Sequence, residues 1–117
     1  MIGHRQHDMN AKLLYVTTGS IGEASTIART LLDERLIACA NIIDGMRSYY
    51  RWQGAVREDR EAVLIVKTRE ALVAAVIDRV KALHSYDCPC VVVLSIEDGN
   101  RAFLDWIAAE TTREGPC

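Results

Sequence analysis

Residues 38–69, ACANIIDGMRSYYRWQGAVREDREAVLIVKTR, constrain the fold more than any other stretch. The first half is rich in β-branched and aromatic residues, the second carries the apolar run 62–66, and Gln53-Gly54 divides them. A glycine at the tip between two such arms is a hairpin signal. Each arm can reach about 14 residues, against the usual ~5–6 for a strand. One small domain cannot cover a two-stranded ribbon of that length, and its exposed far half invites pairing with another chain. The hairpin therefore predicts an obligate oligomer. Asp44-Gly45 interrupts the alternation and marks a bulge that bends the ribbon.

The remaining elements follow from period. Residues 12–18, KLLYVTT, read as a first strand broken by Gly19, and Ser20-Ile21-Gly22-Glu23 matches a capping box with Ser20 as N-cap. Ala24, Ile27, Ala28, Leu31, Leu32 and Leu36 repeat at helical spacing, giving a helix to about Arg35. Leu72, Val73, Val76, Ile77, Val80 and Leu83 form a second apolar stripe ending near His84. Residues 90–96, CVVVLSI, are almost uniformly apolar and read as a central, doubly buried strand. Asp98-Gly99-Asn100 supplies a turn and an N-cap, and Phe103, Leu104, Trp106 and Ile107 a final short helix.

The order strand, helix, strand, strand, helix, strand, helix gives an α+β fold. It is a ferredoxin-like βαββαβ sandwich with an extra C-terminal helix and a long β2–β3 hairpin. Right-handed crossovers put strands one and three in the middle and leave two and four as edges. The domain spans residues 12–113, with 1–11 as a disordered leader and 114–117 as a tail; Met9 is a second candidate start. Fourteen Lys and Arg against sixteen Asp and Glu give a net charge of −2, which argues against a nucleic-acid partner. No apolar run approaches the ~18 residues of a membrane span, and the polar N-terminus has no signal-peptide core. Cys39, Cys88, Cys90 and Cys117 are accordingly read as thiols without a disulfide.

Chemistry-bearing residues gather in His84-Ser85-Tyr86-Asp87-Cys88-Pro89-Cys90, where imidazole and thiols lie within seven residues at a helix–strand junction. Such ligands suit copper or zinc. The competing reading is a helix-end histidine favoured by the dipole, beside two small packing thiols. Cys39, between two alanines, suits a close-packed core, and as a nucleophile it would need His84 as its base. Tyr50 and Trp52 share one face of the hairpin, as a cleft wall or as subunit contact. Lys67 projects from an apolar strand and is either paired or facing a cleft, and the charge run 57–61 reads as solvated surface. Phosphate-binding glycine loops, H-E-x-x-H and G-x-S-x-G are absent, so no common enzyme class is supported.

Glu34-Arg35-Leu36-Ile37-Ala38-Cys39-Ala40-Asn41-Ile42, then Ser48-Tyr49-Tyr50-Arg51-Trp52-Gln53-Gly54, residues 64–68, Lys81-Ala82-Leu83-His84 and residues 99–107 together resemble the CutA family, across about residues 13–110. The resemblance implies a cytoplasmic ferredoxin-like homotrimer, associated with divalent-cation tolerance and copper binding and with no enzymatic reaction. It implies neither nucleic acid nor membrane as partner and leaves room for an unidentified protein partner. It makes Cys39 the cysteine of the family's A-C-x-N segment and His84 the histidine of its L-H-P-Y segment. Tyr50, Trp52, Lys67 and Tyr86 fall on its cleft and interface positions. Ser85 stands where the family has proline, loosening the loop, and Cys90 where it has glutamate. The expected metal ligands are His84, Cys39 and Cys90, with the thiol in place of the carboxylate favouring transient Cu(I). The alternative is a metal-independent trimer that responds to a small molecule, binding an anion through Lys67.

Overall fold

The computed structural model describes residues 10–111, and the expected leader up to Met9, the tail and Cys117 lie outside them. Its long dimension, 54 Å against 30 and 22 Å, comes from the hairpin. Strand β2 (Cys39–Trp52) and strand β3 (Ala55–Arg69) pair in register from Trp52 opposite Ala55 down to Cys39 opposite Lys67. Gln53 (φ 50°) and Gly54 (φ 81°) form the two-residue turn, both left-handed as a type I′ hairpin requires. Between Ile43 and Met46 the register shifts, so Asp44 and Gly45 together face Ala62. Gly45 takes φ 79°, and the Asp44 carboxylate accepts its N–H at 2.8 Å. The expected bulge is there.

Strand β1 (Ala11–Thr18) pairs antiparallel with β3 on one side and with β4 (Val91–Ser95) on the other, giving the sheet order β2-β3-β1-β4. Strands one and three are central, as expected. Helices α1 (Ile21–Asp33) and α2 (Val73–Leu83, entered through a 3-10 turn at Glu70–Leu72) cover one face. There Leu14, Val16, Leu64 and Val66 meet Ala24, Ile27, Leu31, Val76 and Val80 with no exposed surface on any of them. Helix α1 ends in a Schellman motif: Arg35 N–H reaches the Leu32 carbonyl, Leu36 N–H the Leu31 carbonyl, and Arg35 sits at φ 59°. Arg79 of α2 grips Glu34 with both ends of its guanidinium at 2.8–3.1 Å, which ties the two helices together.

The second face is closed only at one end. Helix α3 (Arg101–Glu110), capped by Asn100 on the Ala102 N–H, packs Leu104 and Ile107 against Ala11, and Arg69 binds the Thr111 hydroxyl and carbonyl. Helix α3 thus lies across the sheet from α1 and α2. The expectation of a central, doubly buried fourth strand is corrected: β4 pairs only with β1, and Val92, Val93 and Leu94 are 49, 41 and 51 % exposed. Leu32 also lies outside the core, at 41 %. The apolar character of residues 90–96 is real, but among the described residues only its ends, Val91 and Ile96, pack against the core, and Val92 to Leu94 stay open. Alternation along β1 and the strand register place Tyr15, Val92, Leu94 and Ile43 on this same uncovered face.

Candidate functional site

The densest polar network lies where β1 ends, α1 begins and α2 gives way to β4. His84 caps α2, its N–H bonded to the Val80 carbonyl, and its ring is fully buried. Nε2 donates to the Thr17 carbonyl at 2.7 Å, and Nδ1 accepts the Tyr86 N–H at 3.1 Å. Those roles define a neutral imidazole with its proton on Nε2. Glu23 stands beside it, one carboxylate oxygen 3.6 Å from Nδ1. The same carboxylate accepts Ser85 N–H at 2.7 Å and Gly19 N–H at 3.3 Å, while Ser20 Oγ accepts the Glu23 N–H. The capping box forms, with its return bond one residue upstream of Ser20. Burial works to raise the Glu23 pKa, but the hydrogen bonds from Ser85 and Gly19 outweigh it and hold the carboxyl below its ordinary value.

Tyr86 extends this network to the hairpin. Its ring lies 4.7 Å from that of His84, and its hydroxyl donates to Glu61 at 2.8 Å. Burial, followed by the hydrogen bond to Glu61, pushes the phenol pKa well up. The second oxygen of Glu61 takes the Ser48 hydroxyl at 2.5 Å, and Tyr50 donates across the ribbon to Asp59, which raises its own pKa. Next to Glu61 a shallow cleft of about 260 Å³ opens between Ser20, Asp44 and Arg60. A slightly larger hollow of about 290 Å³ beside Asn10, Asp98 and Arg101 is lined by neither cysteine nor histidine, so the donor chemistry lies elsewhere.

The expected ligands do not converge within one chain. Cys39 is opposite Lys67, which pairs with Leu13; His84 is bonded to Thr17, four residues further along β1. At ~3.3 Å per residue that is ~13 Å along the strand, too far for a shared ion. Cys90 precedes Val91, the partner of Val16, and so stands at the His84 end, exposed. Both nitrogens of His84 already have partners, so ligation by it would break one of those bonds. Among the described residues no three His, Cys, Asp or Glu side chains gather around a common point. The donors fit a soft ion in kind, through accessible thiols at Cys39, Cys88 and Cys90, but not as a preformed cage. Lys67 is paired, its ammonium donating to Asn41 at 3.1 Å, and Tyr50 and Trp52 stand exposed on the ribbon.

Two residues central to the network escape a sequence reading. Glu61 looks like the end of a surface charge run, and Glu23 like a cap alone. The capping box signals where Glu23 starts, but its bond to Ser85 spans 62 positions, and no local pattern encodes that.

Comparison with known proteins agrees with this architecture. Residues 12–110 match the model of the family described as CutA1 divalent ion tolerance protein. The divalent-cation tolerance protein CutA of Thermus thermophilus is 47% identical over 100 residues, which cover 86% of this chain and 97% of that protein. A chloroplastic CutA of rice is 42% identical over 102 residues, covering 87% of this chain and 57% of the relative. A solved structure described as the periplasmic divalent cation tolerance protein CutA from Archaeoglobus fulgidus superposes with a TM-score of 0.85 at 41% identity, covering 87% of this chain and 99% of that one. The chain belongs to the CutA1 family. Those descriptions correct one expectation: with relatives named as periplasmic and chloroplastic, family membership does not carry a cytoplasmic location. The names speak of cation tolerance and not of a reaction, and among the described residues no helix is long and apolar enough to cross a membrane.

Proposed function

We propose that this CutA1-family chain acts as a non-catalytic homotrimer that takes up copper transiently on thiol ligands and so contributes to tolerance of metal ions. The observation that carries the reading is the uncovered second face. Ile43 on β2 is 55 % exposed and Val92 and Leu94 on β4 about half exposed, on the same face of a sheet whose two edges, β2 and β4, are both open among the described residues. Apolar sheet surface with free edges is stable in water when another copy covers it. Joining copies at those edges also answers the ligand geometry. Cys39 lies on edge strand β2 and Cys90 at the start of edge strand β4, so Cys90 of one protomer and Cys39 of the partner subunit can approach as they cannot within one chain. His84 then holds the loop that presents Cys90, and becomes a ligand if its ring releases the Tyr86 N–H. Thiolates on an exposed loop, with no closed cage, suit exchange and not permanent storage.

The test is an anaerobic Cu(I) titration of the assembled protein against a competing chelator, for the parent, Cys90→Ser and Cys39→Ser. Stoichiometric binding that weakens in Cys90→Ser supports the reading. Binding too weak to compete, or equal in all three, overturns it.

A further inference from the structure

The chain contains two Asp-Gly pairs, Asp44-Gly45 in the bulge of β2 and Asp98-Gly99 between β4 and α3. In both, the glycine N–H donates to the carboxylate of the aspartate before it at 2.8 Å, so the nitrogen and the carboxyl group are already neighbours. Glycine brings no side chain to obstruct ring closure between them. The surroundings of the two pairs differ. Asp44-Gly45 lies between Ile43, paired with Val63, and Met46, paired with Glu61, and Gly45 is held at φ 79°. Turning the backbone there disturbs ladder pairing on both sides. Glu97, Asp98 and Gly99 are exposed and lie outside every helix and strand, and among the described residues no backbone–backbone hydrogen bond holds them. The chain is anchored on either side of them, by the Ile96 N–H on the Ala11 carbonyl and by Asn100 as the cap of α3. The hollow of about 290 Å³ beside Asp98 leaves room for a ring and for water.

We infer that Asp98-Gly99 is a self-modifying site, at which aspartate converts to isoaspartate in the folded protein. The Gly99 nitrogen attacks the carbon of the protonated Asp98 carboxyl group. An N–C bond forms, a C–O bond breaks and one water leaves, giving a five-membered succinimide. Water then adds back at one of the two ring carbonyls. Opening the new N–C bond restores aspartate; opening the original peptide bond leaves the chain running through the side-chain carbon. Nothing is oxidised or reduced, and the mass is unchanged. The isoaspartyl product has a main chain one atom longer between Ile96 and Asn100 and carries a free α-carboxylate. That carboxylate is the group a carboxyl methyltransferase of the repair type esterifies, which gives the chemical class of partner for the modified chain. The added atom falls just ahead of the Asn100 cap, whose side-chain oxygen accepts the Ala102 N–H and whose carbonyl accepts the Leu104 N–H, both at 3.0 Å. Shifting the cap frees the first-turn N–H groups of α3, the helix whose Leu104 and Ile107 close one end of the second face.

The experiment stores the full-length protein at neutral pH and physiological temperature, with samples drawn over weeks and a parallel set unfolded in urea. Trypsin puts the two pairs on separate peptides, residues 36–47 and 82–101, so each is read independently. Isoaspartate is located by electron-transfer fragmentation and counted by methyl transfer from a labelled donor with a carboxyl methyltransferase. In urea the two sites are expected to isomerise at similar rates. In the folded protein isoaspartate is expected to accumulate at position 98 several-fold faster than at 44, and the aged protein to lose amide-exchange protection in the first turn of α3. Gly99→Ala is the control, because a Cβ there comes no closer than 3.7 Å to Leu104 and the backbone is not left-handed. The fold is kept while the added methyl slows ring closure, so isoaspartate at 98 should fall to a trace and that at 44 stay unchanged. Isomerisation at Asp44 as fast as at Asp98, undiminished isoaspartate at 98 in Gly99→Ala, or an Asp98 that stays intact in the folded protein overturns the inference.

Discussion

Replacing Glu23 by glutamine tests how the loop of the candidate site is held. The Glu23 carboxylate accepts two backbone N–H groups, Ser85 at 2.7 Å and Gly19 at 3.3 Å, and its side chain is only 18% exposed. Glutamine keeps one accepting oxygen but turns an amide N–H toward the other donor, so one of these two exposed backbone N–H groups must turn to solvent instead. Hydrogen bonds to a charged group contribute ~1.5–3 kcal/mol, so Glu23→Gln is expected to lose about that much at pH 7. The loss must also depend on pH. Because the folded-state pKa of Glu23 lies below its unfolded value, its contribution is complete above the unfolded carboxylate range. It disappears as pH falls through the depressed folded pKa, where parent and variant both carry a neutral side chain. Urea unfolding at one fixed protein concentration, at pH 7 and then down through the carboxylate range, reads both effects. Equal stability at neutral pH, or a gap that stays constant on acidification, would refute the assignment of Glu23 as the charged anchor of the loop.

Other consequences are simpler. Arg35→Gly relieves a left-handed residue at the end of α1 and is expected to stabilise the fold by ~0.5–1 kcal/mol, read by urea midpoint. Thr68→Val removes the buried hydroxyl that donates to the Leu36 carbonyl at 2.7 Å, and should cost ~1–3 kcal/mol in the same assay. Tyr86→Phe should abolish the latest-ionising tyrosine in an ultraviolet pH titration, because the Tyr86 phenol is partly withdrawn from water and bonded to Glu61. Ile43→Asp, on the uncovered face, should leave secondary structure intact while breaking the assembly, as seen by circular dichroism and light scattering.

Most of the fold was legible because its signals are local. The tip Gln53-Gly54, the bulge Asp44-Gly45 and the cap at Ser20 each depend on a residue or two whose backbone or side-chain chemistry decides the outcome. The helical stripes gave α1 and α2 to within two residues. The run from 90 to 96 was misread because periodicity reports that residues are apolar, not which chain covers them. An apolar edge strand and a central strand look the same to it. The candidate site was less legible still. His84 stood out for its residue type, but its role follows from the Thr17 carbonyl 67 positions away, a contact no spacing rule contains. The separation of Cys39 from His84 likewise depends on strand register, which becomes readable once β1 is placed between β3 and β4.

The account turns on whether other copies of this chain cover the second face of the sheet. Sedimentation equilibrium over a wide concentration range measures that directly. The expected result is a single species of three times the chain mass that persists on dilution, with Ile43→Asp shifted toward the monomer. A parent protein that sediments as a monomer, with Ile43, Val92 and Leu94 exposed to water, would contradict it.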